Sequence, residues 1–199
     1  FSIIGNVNAL TYKEIFPSIM ENRVWLGPSI SSGDREFRVP ESYPLNAAGF
    51  RIDEDGNKYI RVKGVRWYTN IEHGRRHEPL QLMTMDDNIK FSRHKEIRGA
   101  EYEKYVNFDA LEVGYSDAIP SDYPGLMGVP ITFLDKYSPE QFEIIGTSDG
   151  AFAASLGVAP LGPEFKGNVG RTKLGLASTS KAVFKRVIIR HLNPEPKKD

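Results

Sequence analysis

Cysteine is absent from this chain, which excludes disulfides and thiolate metal sites and fits a reducing cytoplasm. No apolar run approaches the roughly 18 residues of a membrane span, and no signal-peptide pattern is visible, so a soluble protein is expected. Net charge is also lacking: 26 basic and 26 acidic side chains cancel, which argues against tight non-specific binding to nucleic acid. Histidines are few. His73 and His77 stand four apart, but Gly-Arg-Arg separates the second from the first and no third ligand follows, so no metal site is expected. No Ser/His/Asp or Cys/His set and no nucleophile elbow occurs. Around Gly167–Lys173 the glycines lack the Gly-Lys-Ser/Thr ending of a phosphate loop, and a flexible basic loop is the reading there.

What is present suits a folded protein. A 199-residue chain with 40% hydrophobic and 11% aromatic residues can bury a core in one or two compact units. The charge is unevenly spread. Residues 106–163 carry one basic and eight acidic side chains, whereas residues 164–199 carry nine basic and three acidic ones. Such blocks either pair with one another or leave one basic, DNA-facing side.

The chain opens on an apolar stretch, Phe1 to Ile4, which runs into Gly5-Asn6 and then a helical segment. This reads as a buried strand of a parallel α/β sheet, and as the downstream part of a larger protein. Thr11 and Glu14 have capping-box spacing and predict a helix from Tyr12, interrupted at Pro17, giving pieces at 12–16 and 17–22. A short strand is expected over Arg23 to Leu26. Residues 27–49, rich in proline, glycine and serine, read as an ordered loop.

Phe50 to Ile71 reads as a hairpin around the Asp55-Gly56 turn. The apolar alternation changes parity at Gly64, which suggests a bulge. Farther on, the pattern predicts strands at Asp109–Val113, Val129–Leu134, Phe142–Ile145 and Val183–Arg190. A short helix is expected at Ser138-Pro139-Glu140, and a long mobile loop over 146–176.

Arg66-Trp67-Tyr68-Thr69-Asn70 is the strongest local candidate for chemistry. Enzymes that modify a base extrude it from the stack and hold it by aromatic faces and edge hydrogen bonds. One of two adjacent strand residues must face inward; Trp67 is assigned to the core, leaving Tyr68 to stack. Asn6 and Asn8 follow the first strand at its carboxyl end, where open α/β sheets bind ligands, although a turn and a helix cap explain them equally well. For base reading the chain offers Arg75, Arg76, Arg93 and Arg98, with Arg66 a further DNA-binding candidate, and for phosphate contacts Arg171, Lys173 and Lys181.

Three blocks, Ile3 to Gly27, Lys63 to His73 and Gly125 to Gly146, together with Ala182 to Leu192, resemble the EcoRI-type family of adenine-specific DNA methyltransferases, in the family's order. The resemblance implies S-adenosylmethionine as donor, a flipped adenine in double-stranded DNA as acceptor, and a restriction endonuclease as functional partner in a bacterial or phage setting. The family's Asn-Pro-Pro-Phe motif and Gly-containing cofactor loop do not occur in these residues. The expectation is therefore a mixed α/β protein. Residues 1–71 would form the late strands and terminal hairpin of a Rossmann-like methyltransferase sheet, and 72–199 an α+β target-recognition region. The chain alone would be catalytically inactive, with no full cofactor site. The competing class is a non-catalytic DNA- or protein-binding module of the same fold. An open edge on the first strand would favour self-association.

Overall fold

The computed structural model describes residues 1–29, 34–46, 49–166 and 173–197. Among these residues the fold is mixed α/β, with four small sheets and few helices, and the chain divides into Phe1–His73 and Gly74–Asp199.

The first unit contains two three-stranded sheets. One is built from β1 (Ser2–Asn6), β2 (Trp25–Leu26) and β6 (Val65–Thr69), in the order β1-β6-β2. Both outer strands run antiparallel to β6 and are therefore parallel to each other. The expected parallel neighbour of β1 is thus not adjacent to it; a reversed strand lies between. Nor is β1 a buried strand. Ile3 and Ile4 are 52% and 48% exposed, because among the described residues only β6 pairs with it.

The link from β1 to β2 is helical but not where the capping box placed it. A 3-10 turn spans Val7–Thr11, with the Asn6 side chain accepting from the Asn8 amide at 2.9 Å as its cap. Thr11 then donates to the Asn8 carbonyl instead of starting a helix. Helix α1 covers Phe16–Met20, with Pro17 in the first turn, where its missing N–H costs nothing. Phe16 and Ile19 from α1 are buried, as are Leu10, Leu26, Val65 and Tyr68.

The other sheet is β3 (Arg35–Val39), β4 (Phe50–Ile52) and β5 (Lys58–Val62), in the order β3-β5-β4. Strand β3 lies inside the segment read as loop. The β4–β5 hairpin forms as expected: Asp53 accepts from the Asp55 and Asn57 amides, and Gly56 takes φ +80°. The parity change at Gly64 is a change of sheet rather than a bulge. Strands β5 and β6 do not pair; the chain leaves one sheet for the other through Gly64 at φ +62°. A side chain at Gly64 would also meet Val7 at 2.9 Å.

The second unit is organised around a five-stranded sheet in the order β10-β13-β9-β8-β7. Its strands are β7 (Lys104–Tyr105), β8 (Phe108–Glu112), β9 (Met127–Pro130), β10 (Phe142–Thr147) and β13 (Arg186–His191). Only β8 and β9 pair in parallel. Strand β13 is covered on both faces, with Val187, Ile188 and Ile189 each at 0% exposure, which explains its continuous apolar run. Helix α2 (Met85–Phe91) is capped by Thr84, whose hydroxyl accepts from the Asp87 amide.

Three expectations fail here. The strand expected over Val129–Leu134 stops with β9 at Pro130, and a 3-10 helix spans Ile131–Lys136. Ser138-Pro139-Glu140 forms a turn closed by Gln141 and Phe142 amides on the Ser138 carbonyl, because β10 begins too soon for a helix. The segment expected as a mobile loop holds helix α3 (Gly150–Ser155) and β11 (Gly175–Leu176), which pairs with β12 (Lys181–Ala182). Leu174 and Ala153 are fully buried, so a few small and apolar residues anchor it.

Candidate nucleic-acid interface

The five base-pocket candidates separate by burial. Strand β6 is paired along both edges, and residues on both of its faces are buried: Val65, Arg66, Tyr68 and Thr69 are all 5% exposed or less. Tyr68 is therefore core, with its hydroxyl donating to the Asn6 carbonyl at 2.8 Å and its ring against Gly5. Trp67, expected in the core, is the half-buried residue of β6, its indole over Gly27, where a Cβ would come within 3.0 Å. The assignment of the two aromatics is thus reversed. Equal side-chain parity could not reveal which face would be better covered.

Asn6 is spent on the backbone: besides capping, its side-chain amide donates to the Lys63 carbonyl at 2.9 Å. Asn8 and Asn70 are exposed, and the Asn70 amide donates to the Phe1 carbonyl at 3.2 Å. Arg66 is a correction. It is 5% exposed, with a guanidinium nitrogen donating to the Val65 carbonyl at 3.0 Å, and it does not present itself to a DNA surface.

In the second unit Arg75 is exposed and Arg76 half-buried, both in the 3-10 turn Gly74–His77. Arg98 and Lys181 are exposed, and Lys173 is half-buried. Arg171 and the glycine-rich run 167–172 lie outside the described residues. Arg93 is exposed but binds Asp117 at 2.7 Å; His94 meets the other Asp117 oxygen at 2.9 Å and stacks on Tyr115 at 3.6 Å. Burial opposes the Asp117 charge, but the His94 hydrogen bond and the neighbouring Arg93 guanidinium hold its carboxyl below the ordinary value. These groups form a structural clamp.

The two histidines at zinc-like spacing do not converge. His73 bonds the Leu26 carbonyl at 2.9 Å, and His77 bonds Glu140 at 2.6 Å. Among the described residues no group of three potential ligands could hold a metal, and no helix is long and apolar enough to cross a membrane.

A basic surface that the sequence reading missed lies on the β3-β5-β4 sheet. The register places Glu36 beside Arg61, and Arg38 and Arg51 beside Tyr59, so these five side chains share one face. Arg51 binds both Glu36 oxygens, holding that carboxyl below its ordinary value, and lies 4.3 Å over the Tyr59 ring. Arg38, Arg51 and Arg61 are exposed. The available signal was the alternation in Arg35-Glu36-Phe37-Arg38-Val39, masked by its proline- and serine-rich flanks. By contrast, a cavity of about 550 Å³ in the second unit is lined by Glu96, Glu101, Glu103 and Glu112 against Arg186 alone, an acidic lining unsuited to phosphate.

A family model described as adenine-specific methyltransferase EcoRI matches residues 1–192. The chain belongs to the EcoRI-type adenine-specific methyltransferase family. It is 42% identical over 166 residues to the type II methyltransferase M.EcoRI of Escherichia coli, covering 83% of this chain and 48% of that protein. It is 32% identical over 148 residues to the type II methyltransferase M.MpnI of Mycoplasma pneumoniae, covering 73% of this chain and 43% of that protein. A Mycoplasma genitalium relative, M.MgeORF184P, is 31% identical over the same length. The chain spans about half the length of the curated relatives it matches. No solved structure matches. The family match runs across both units, so the recognition made from the quoted blocks holds for the EcoRI-type family.

The described residues at the ends of β1 and β2 do not fit the ribose of S-adenosylmethionine. The segments that follow β1 and β2, Val7-Asn8 and Gly27-Pro28-Ser29, contain no carboxylate to hold a ribose, and Asn6 is already bonded to backbone.

Proposed function

We propose that this chain contributes DNA recognition and part of a flipped-base pocket to a site-specific DNA adenine-N6 methyltransferase of a restriction–modification system. The observation that carries this reading is the family match over residues 1–192. The donor is S-adenosylmethionine, the substrate double-stranded DNA, and the functional partner a restriction endonuclease of the same specificity, in a bacterial or phage cytoplasm. The first unit supports a place among the late strands and terminal hairpin of a Rossmann-like sheet: β1 and β2 are parallel, joined through α1, with reversed β6 between them. The second unit, with its exposed arginines and mixed sheet, is the target-recognition region.

Within this reading Trp67, half-buried on the sheet, is the stacking candidate, with Asn8 and Asn70 as exposed edge readers. Arg75, Arg76 and Arg98 read bases, while Lys173 and Lys181 contact phosphates. The open edge of β1, with Ile3 and Ile4 exposed beside it, supports self-association by strand pairing. No Asn-Pro-Pro-Phe sequence occurs in these 199 residues to receive the adenine amino group, so this chain alone transfers no methyl group. Incubating it with labelled S-adenosylmethionine and duplex DNA tests this: duplex binding without label incorporation is expected. Robust methyl transfer would overturn the inactivity, and failure to bind any duplex would overturn the recognition role.

A further inference from the structure

The β3-β5-β4 sheet is an insertion, and topology fixes where it is rooted in the first unit. Strands β1 and β2 both run antiparallel to β6, so their carboxyl ends lie at the end of the sheet where β6 begins, at Val65. The chain leaves that end at Gly27, whose amide donates to the Trp67 carbonyl at 2.8 Å, and comes back to it at Gly64, with β3, β4 and β5 between. The return is pinned to the end of β1. The Val7 amide donates to the Gly64 carbonyl at 2.7 Å, and the Asn6 side chain donates to the Lys63 carbonyl at 2.9 Å. In a Rossmann-like sheet the carboxyl ends of parallel strands are where ligands bind.

The two faces of the insertion differ. Phe37, Ile60 and Phe50 form one cross-strand row, with Val39 and Ile52 on the same face. Glu36, Arg38, Arg51, Tyr59 and Arg61 occupy the other. On that polar face the carboxylates are engaged: Arg51 holds both Glu36 oxygens, and Asp53 accepts from the Asp55 and Asn57 amides, the Asn57 side chain and the Tyr59 hydroxyl. Three cations are not. Arg38 and Lys63 are exposed and have no acidic partner among the described residues. The Arg61 side chain is 66% exposed and meets Asp34 only at 3.9 Å. Glu54 and Asp55, exposed at the hairpin tip, repel anions and confine an anionic partner to the body and root of the sheet.

We propose that this inserted sheet clamps the DNA backbone beside the base to be methylated, with Arg38, Arg61 and Lys63 each meeting a phosphate. The clamp rests on the methyltransferase reading and adds to it a DNA contact in the first unit, outside the target-recognition region. Arg38 on β3 pairs with Tyr59, two residues before Arg61 on β5, so the two arginines are diagonal neighbours on one face. Diagonal neighbours stand about 7–8 Å apart, which lets two long side chains reach neighbouring phosphates. Such contacts fix the register of a protein on a duplex without reading its sequence. The bidentate Arg51–Glu36 pair braces β4 and β3 across β5 and holds the face in shape.

The test measures duplex binding by this chain over a range of salt, for the parent, for Arg38→Ala, Arg61→Ala and Lys63→Ala, and for the triple variant. Each single variant is expected to weaken all duplex sequences alike and to lower the slope of log affinity against log salt by about one unit, and the triple variant by about three. Arg38→Lys keeps the charge and should keep the slope, and the thermal midpoints of these surface variants should match that of the parent. The absence of native cysteine permits a second measurement. A photo-crosslinker attached to Arg61→Cys should couple to duplex DNA. One attached to Ile52→Cys, at a position 52% exposed on the opposite face, should not. A triple variant with the parent's slope, or crosslinking from Ile52→Cys alone, overturns the clamp and leaves the recognition role standing. Slope losses seen with double-stranded RNA but not with DNA overturn the choice of partner. A parent chain that binds no duplex overturns both the clamp and the recognition role.

Discussion

Arg186 reaches across β9 to bind Glu112 two strands away, with both carboxylate oxygens engaged and a shortest distance of 2.6 Å. Each side chain is 14% exposed. The Tyr105 hydroxyl from β7 joins the same carboxylate and also reaches the Gly128 carbonyl at 3.4 Å. Burial first, then the neighbouring Glu112 charge, drives the Tyr105 hydroxyl's pKa far upward, so it stays a donor at any working pH. The strand crossed is a glycine at this point, Gly128, and a Cβ there would collide with the tyrosine ring at 2.9 Å.

The clamp gives the first prediction. Gly128→Ala is expected to destabilise the chain by about 1–3 kcal/mol through overpacking. Arg186→Met alone should cost about 3–5 kcal/mol, because Glu112 is then left buried and uncompensated. Adding Glu112→Leu to Arg186→Met should recover much of that loss. Urea midpoints of the two single variants and the double variant check the coupling. Additive losses would show that the pair does not act as a unit.

A second prediction concerns pH. His191 has a lowered folded-state pKa, caused by burial and only partly opposed by Glu195. Between the folded value and the ordinary value of about 6.5, the unfolded chain binds the extra proton. Stability is therefore complete above about pH 6.5 and falls as the pH drops below it, until the folded group itself protonates. His77, paired with Glu140, and Glu195 line a cavity together with His191. Thermal midpoints at pH 5 and pH 7.5 should differ less in His191→Gln than in the parent chain.

The third prediction separates the two aromatics of β6. Tyr68→Phe deletes the bond to the Asn6 carbonyl and strands that acceptor, at a cost of about 0.5–1.5 kcal/mol. It should leave duplex affinity unchanged. Trp67→Ala should weaken binding of extruded-base substrates in the full-length enzyme, with intact duplex affinity falling less. Fluorescence titrations with a mismatched and a fully paired duplex distinguish the two variants.

The element pattern was legible where local chemistry decides it: the Asp53–Asn57 turn and the strands β8, β10 and β13. It was not legible where neighbours decide. Nothing local to Phe1–Ile4 says that the strand beside it will be reversed, since the partner lies some 60 residues away. Gly64 marked a break correctly, but a bulge and a change of sheet leave the same parity trace in sequence. Candidate side chains fared likewise. Arg66 reads as a surface cation because its residue type is usually exposed, and only the packing against β6 reveals that it is buried.

The last prediction concerns base reading against phosphate contact. Arginine reads guanine through paired hydrogen bonds in the major groove, a geometry that lysine cannot reproduce. Arg75 and Arg76 sit on one short turn, and His77 beside them is fixed by Glu140 at 2.6 Å, so the turn holds a defined position. Arg75→Ala in the full-length protein is expected to cost about 1–3 kcal/mol on the cognate duplex and to relax discrimination against a scrambled one. Lys181→Ala, exposed on β12, should weaken both duplexes alike and flatten the salt dependence by about one unit of slope. Arg38→Ala on the β3-β5-β4 face should follow the lysine pattern if that face meets the DNA backbone. Titrations on both duplexes at two salt concentrations separate the classes. Equal losses on cognate and scrambled DNA for Arg75→Ala would move that arginine from the readers to the phosphate contacts.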